Sequence, residues 1–430
     1  MNMKKIVLSI FIVLTLVSVL GAKPTDTRHF STNPAFLANS KRGTFEIGLP
    51  ILGFEVTNSY LSIGEIIGLA SAKDFTLDLN KLYTSLGDGG LEYGFTLENA
   101  LFSTVHIGQL GVGFFTRQET YYFSSLPKSF FGILANGNQL DVPITGESNI
   151  ILQSFAETGL YGSWKLDNFV FAGTLDAYFP LAYADNAKFN YSFVARSNGT
   201  ASFSASANLP MYTFLDAKAV SNSSGNFDSA GLTSDAISSS LSSSMGFNVD
   251  AGFMYRHPKS KKPMWGGALL NIPLIPAKAG SKLNANLTYS AEIANLLANT
   301  ANIADAVTST ESQPAKVEAS ENFVLMPMKA NGFYRFELLP FLDVTPQAEL
   351  VFWNPTRLNL GVNANVYLGD WIDFGVGVHR NDFVWKAETE LALNLYIFEL
   401  AISAAVNGPD IGSMFTAKGL EANIFIALGF

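Results

Sequence analysis

The 430-residue chain contains no cysteine, which excludes disulfide frameworks, cysteine-held metals and thiol chemistry. It is also poor in charge. Asp, Glu, Lys and Arg make up 15% of the residues, where soluble proteins average roughly 25%. That deficit argues against a soluble enzyme with a well-charged surface. A net charge of −9 leaves no basic footprint for nucleic acid. Histidine occurs only at positions 29, 106, 257 and 379, with no metal-ligand spacing among them, so satisfied or solvent-facing rings are expected. No Gly-x-Ser-x-Gly elbow is present. Beyond residue 23 there is no apolar run of about 18 residues, so no membrane helix is expected there. What is abundant is apolar content, 48% of the chain, with 35 phenylalanines. It must be distributed in some pattern other than a long run.

The N-terminus reads as a secretory signal over residues 1–22. Lys4 and Lys5 open it, Ile6 to Leu20 forms an apolar run too short to span a bilayer, and Gly21 and Ala22 supply small residues for cleavage. No cysteine follows, which closes the lipoprotein route.

The remaining apolar residues alternate. In Arg357–Leu368 the even positions are Leu358, Leu360, Val362, Ala364, Val366 and Leu368, against Arg357, Asn359, Gly361, Asn363, Asn365 and Tyr367. Gly369-Asp370 then marks a two-residue turn, and Ile372, Phe374, Val376 and Val378 resume opposite Asp373, Gly375 and Gly377. Met245–Tyr255, Leu283–Tyr289, Ala387–Ile397 and Leu420–Phe430 repeat the pattern, with Phe169–Phe179 and Ala201–Leu209 looser. A period of two over about ten residues, apolar on one face and small or polar on the other, predicts a membrane-spanning β-barrel with a wet lumen. Soluble sandwiches and lipocalin-like barrels also alternate, but with shorter strands and charged outer faces. Glu388 and Glu390 share one strand face and read as lumen wall, not as an acid–base pair. A Ser-His-Asn set assembled only in space stays open at this stage.

The expected fold is therefore all-β, a transmembrane antiparallel barrel of about 14 strands. Gln118–Asn149, Ser221–Ser244 and Ser290–Glu321 read as long connections, the second as a Ser-rich flexible loop. In the third, Ile293, Leu296, Leu297, Thr300, Ile303, Ala304 and Val307 have helical spacing; Ile63–Leu69 and Leu77–Leu86 are further short-helix candidates. Gly108–Gly113 is glycine-rich but lies in an alternating stretch, which reads as strand packing, not a phosphate loop. His257–Pro263 reads as a solvated basic turn.

Asn33-Pro34-Ala35-Phe36-Leu37 follows the signal closely. It resembles the NPA box in the hatch of FadL-like long-chain fatty acid transporters. The resemblance extends to a broad, functionally unassigned relative of that family, outer-membrane barrels common in Bacteroidetes and spirochaetes. Ordered matches are Phe45–Pro50 with Leu52-Gly53-Phe54, Ser125-Leu126-Pro127 with Gly137-Asn138, Tyr161–Trp164 with Phe171-Ala172-Gly173, and Asp250–Arg256 leading into Trp265-Gly266-Gly267. The resemblance implies a luminal N-terminal plug over residues 23–42 and a barrel over residues 43–430. It also implies a hatch or ligand-gating role for Asn33, Pro34, Ala35 and Phe36. The terminal Phe430 resembles the aromatic recognised by the barrel-assembly machinery.

These readings predict an outer-membrane transporter or channel for passive uptake of small hydrophobic molecules such as fatty acids. Its partners would be membrane lipid, the assembly machinery and the hydrophobic ligand, and it would be neither an enzyme nor a holder of cofactor or metal. A greasy ligand calls for an apolar pocket in the lumen. A general diffusion porin with a charge-lined constriction, or a structural or surface-binding barrel, are the alternatives.

Overall fold

A computed structural model describes residues 27–39, 44–60, 62, 79–87, 89–136, 139–293, 315–353, 356–369, 371–381, 384–395 and 397–429. The predicted signal, the Ile63–Leu69 candidate, the helical spacing from Leu296 to Val307, and Phe430 lie outside the described residues.

Among the described residues, sixteen strands of seven or more residues follow one another. They are β1 (Phe45–Asn58), β2 (Leu91–Ile107), β3 (Leu110–Leu126), β4 (Ile144–Leu166), β5 (Phe169–Ala195), β6 (Ala201–Thr213), β7 (Gly246–Arg256) and β8 (Pro263–Ile275), then β9 (Ser281–Ile293), β10 (Met328–Tyr334), β11 (Leu342–Phe352), β12 (Arg357–Leu368), β13 (Ile372–Asn381), β14 (Val384–Leu395), β15 (Phe398–Gly408) and β16 (Gly419–Gly429). Fourteen of these sixteen form the closed ring, and the other two extend beyond it. The antiparallel ladder runs β1 through β5, on to β7, β8, β10 and then β11 through β16, and β16 pairs with β1 to close the ring. The two strands left over, β6 and β9, pair with each other beyond that ring, and β6 pairs with the far end of β5. One 27-residue strand makes this possible. The first half of β5 pairs with β7 from Phe169 to Tyr178, and its last third pairs with β6 from Lys188 to Ala195. β6 and β9 alternate like wall strands, which is why sequence pattern alone counts them as wall.

The predicted faces hold. Leu358, Leu360, Val362 and Leu368 of β12 and Phe374, Val376 and Val378 of β13 are exposed on the outside, while Gly361, Asp373 and His379 are buried inside. Leu391, Ile402, Leu420 and Ile424 continue the exposed band to the seam, and Leu52, Phe54 and Val56 carry it across β1. A band of exposed Leu, Val and Phe around a closed sheet is the surface of a barrel that spans lipid. At the short-turn end Phe169, Tyr255 and Trp265 form an aromatic group with ring centroids 5.0 to 6.0 Å apart. Trp164, Tyr334, Phe336 and Phe341 lie exposed at the same end, as in an interfacial girdle.

Three connections differ from expectation. Gly108 and Gln109 form the β2–β3 turn, with Gly108 at φ +60°, a conformation that favours a residue without a β-carbon; the strand begins at Leu110. Gln118 to Leu126 continues β3, and β4 already begins at Ile144, so only residues 127–143 connect them, through helix α2 (Lys128–Asn136). Strand beyond the lipid needs no apolar face and therefore reads as loop. Ser221–Ser244 ends in helix α3 (Ser234–Ser244), not in loop. Thr233 Oγ1 accepts from the Ala236 amide at 3.2 Å, and the hydroxyls of Ser240 and Ser244 tie the helix to the Asp216 amide and the Phe214 carbonyl. Part of the Leu77–Leu86 candidate is helical, as α1 (Leu79–Ser85).

Candidate functional site

Residues 27–39 lie inside the barrel as two short 3₁₀ turns, Thr27–His29 and Pro34–Asn39. Thr27, Phe30, Asn33, Ala35, Phe36, Leu37 and Ala38 are buried. Pro34 biases Asn33 toward extended geometry, and the Asn33 side chain exploits it. Its Oδ1 accepts from the Ala35 amide at 2.9 Å. Its Nδ2 donates to the Phe253 carbonyl at 3.1 Å and the Gly267 carbonyl at 3.2 Å, on the adjacent strands β7 and β8. Gly252 makes the seat. A β-carbon there would overlap Asn33 Oδ1 and stand 3.0 Å from Pro34 Cδ.

Other contacts fix the segment along its length. Thr27 donates its hydroxyl to Glu46, Arg117 donates to the Ser31 carbonyl at 3.2 Å, and Asn331 donates to the Thr32 carbonyl at 2.8 Å. Phe30 stands edge-on to Phe102 and Phe115, at 5.1 and 6.2 Å. Phe36 packs on Phe333 at 5.2 Å. Ala35, Phe36 and Ala38 form one apolar cluster with Val170 and Met254 of the wall.

The bore is charged as well as occupied. Arg28 reaches Asp373 at 2.9 Å, Glu390 at 2.7 Å and Glu399 at 3.5 Å. Lys386 pairs with Glu55 at 2.6 Å and Glu421 at 2.8 Å, Lys329 pairs with Glu119 at 2.7 Å, and Arg117 pairs with Glu157. Such buried pairs add little net stability when intact, but they are costly to break from one side. Sequence reasoning missed Arg28, Arg117, Lys329 and Lys386. A signal existed for some: Lys386 has the inward parity of Glu388 and Glu390, and Arg117 that of Glu119. A cation on a lumen face among carboxylates is a pairing candidate.

Beside the segment lies a cavity of about 330 Å³. Phe36, Phe333 and Tyr367 bring aromatic rings to it, and Gln347, Asn359, Asn363 and Asn365 supply amides. Asp373, Glu388 and Glu390 add carboxylates. A second cavity of about 260 Å³ shares Thr32, Glu349, Asn359, Lys386 and Glu421 with it. The expectation of an apolar lumen pocket is met only in part: this wall is of mixed character, with polar side chains beside the aromatic ones, because the apolar parity of each strand is committed to the exterior. His379 Nε2 stands 3.0 Å from Glu388. Among the described residues no group of three His, Asp or Glu is placed to hold a metal ion.

The structure thus brings Asn33, Pro34, Ala35 and Phe36 together in the bore, while Phe430 lies outside the described residues. In comparisons with known proteins, residues 34–427 match the family described as "Family of unknown function (DUF5723)". No curated protein matches. Similar solved structures include the Ralstonia pickettii toluene transporter TbuX, 10% identical, covering 95% of each chain at a TM-score of 0.47. The P. putida toluene transporter TodX is 8% identical, again covering 95% of each chain, with a TM-score of 0.48. A Pseudomonas aeruginosa FadL homologue is 11% identical, covering 95% of this chain and 94% of its own, with a TM-score of 0.43.

Proposed function

We propose a function from one premise: the chain belongs to DUF5723, a family of unknown function, and its barrel is filled by its own N-terminal segment. In this reading the protein sits in the outer membrane as a gated channel for passive uptake of small hydrophobic molecules. Residues 1–22 are the export signal, 23–42 the plug and 43–430 the barrel. Asn33, Pro34, Ala35 and Phe36 are the gating residues, and Phe430 is the aromatic end that the assembly machinery takes up.

One observation carries the reading. Phe36 belongs at once to the inserted segment and to the wall of the larger cavity, so withdrawing the segment would enlarge that cavity toward a passage. Its volume lies near the lower end of the roughly 300–1,000 Å³ of small-molecule sites. An apolar body would rest on Phe36 and Phe333, with a polar end toward Asn359, Asn363 and Asn365. A fatty-acid carboxylate would face Glu388 and Glu390, so a neutral molecule is the better match within the hydrophobic class.

Proteoliposome uptake of a neutral fluorescent hydrophobe tests this, with the intact mature chain and with a variant lacking residues 23–42. Uptake that rises on deletion supports the reading, and no uptake by either form overturns it. The polar cavity wall favours one second reading, a diffusion channel for hydrophilic solutes. Liposome swelling in sugars without uptake of the hydrophobe would select it.

A further inference from the structure

We infer that Arg28 is an electrostatic latch: it ties the inserted segment to three wall carboxylates, and those carboxylates make the bore prefer cations once the segment has left. The inference rests on the proposed gating role of that segment.

The geometry is that of a strut. Asn33 is anchored on β7 and β8. Five residues earlier, Arg28 is anchored on three consecutive strands on the far side of the ring, through Asp373 of β13, Glu390 of β14 and Glu399 of β15. The arginine side chain is 7% exposed, and those of Asp373 and Glu399 are 3% and 0% exposed. Asn365 also donates to Asp373, at 3.0 Å. A guanidinium divided among three carboxylates on three strands is held against rotation as well as withdrawal. If the segment leaves, its positive charge leaves with it, and the three acids remain on the wall. Glu388 lies on the same cavity wall, and Lys386 is already shared between Glu55 and Glu421. The freed wall is therefore negative, and an opened bore would concentrate cations.

The test is conductance of the full mature protein in planar bilayers under a KCl gradient. Wild type, Arg28→Gln, a triple Asp373→Asn, Glu390→Gln, Glu399→Gln variant and a variant lacking residues 27–39 are compared. A heat-dependent gel shift checks that each barrel has formed. The latch predicts that Arg28→Gln raises open probability about tenfold or more, with a reversal potential favouring K⁺ over Cl⁻. The triple variant also opens, because it removes the other half of the latch, but with cation preference reduced. Arg28→Gln channels as closed as wild type, beside conducting deletion channels, would overturn the latch alone. Silence from the deletion variant as well would overturn the gating reading and the latch with it. Equal ion selectivity in Arg28→Gln and the triple variant would refute the assignment of the three acids as the selecting group.

Discussion

Gly252→Ala is the sharpest perturbation of the seat, because it adds one carbon where Asn33 leaves no room. The new β-carbon would overlap Asn33 Oδ1 and press on Pro34 Cδ. Asn33 is pinned from three sides, so its amide cannot turn away without losing the bonds to Phe253 and Gly267 and the one from the Ala35 amide. At about 0.5–1.5 kcal/mol net for each hydrogen bond, the seated state loses roughly 2–4 kcal/mol. At 1.4 kcal/mol per factor of ten, the unseated fraction rises roughly 30- to 700-fold. The chain has no native cysteine, so Ala35→Cys is a unique reporter at a fully buried position of the segment. Maleimide labelling of that thiol follows the unseated population when reseating is fast. The double variant is expected to label at least 30 times faster than Ala35→Cys alone. Gly162→Ala is the control, since a β-carbon there meets nothing within 4 Å. Equal rates with and without Gly252→Ala, in barrels that pass the gel-shift check, would refute the claim that this glycine makes the seat.

Phe30→Ala empties the edge-on site between Phe102 and Phe115; at about 3–5 kcal/mol for a buried Phe it should speed labelling of the same thiol at least as much as Gly252→Ala. Val376→Arg puts a charge in the exposed apolar band; it should cost about 2–4 kcal/mol in urea unfolding from lipid, whereas the inward neighbour Asn363→Ser should cost far less. Thr233→Ala removes the N-cap of α3; it should raise amide exchange in Ser234–Ser244 by about 1 kcal/mol of local stability and leave the wall strands unchanged.

How far the sequence revealed this molecule depends on where lipid is. In β7, β12, β13 and β16 one face must be apolar and the other must not, so a period of two is forced and can be read directly. At the outer ends of β3 and β4 neither face meets lipid, the constraint lapses, and Gln118 to Leu126 reads as loop although it is strand. α3 escaped for a different reason. Serine is a poor helix former on average, but here Thr233 caps the first turn and the Ser240 and Ser244 hydroxyls tie the helix to the neighbouring loop. The Asn33 motif was legible through its resemblance to a hatch box. Its partners were not, because Phe253 and Gly267 offer carbonyls, which every residue has. Only Gly252 leaves a trace in the sequence, and a glycine among many small inward residues does not announce what fills its space.

The polar cavity and the inserted segment have a common origin. Eight strands already make a barrel just wide enough for its own side chains to fill, and this ring closes through more. The inward faces of β12 and β13 are mostly Asn, Gly and Asp, too short to meet at the axis, with Arg357, Tyr367 and His379 the longer exceptions. Such a bore holds either water or another piece of chain. A chain segment placed there brings backbone polar groups that need partners, and the polar side chains of the wall supply them: the Asn331 amide donates to the Thr32 carbonyl, and the Arg117 guanidinium to that of Ser31. An apolar lumen would have left those carbonyls unsatisfied and expelled the segment. The polarity of the wall is therefore a condition of the seated state. A hydrophobic solute would have to be recognised where the segment adds apolar surface of its own, at Phe36 against Phe333. That ties recognition in the gated chain to the seat: Phe36→Ser should weaken saturable uptake of a neutral hydrophobe while leaving ion conductance of the opened bore intact, whereas removal of residues 23–42 opens a passage that needs no recognition. Loss of both together would mean that Phe36 holds the fold rather than the solute.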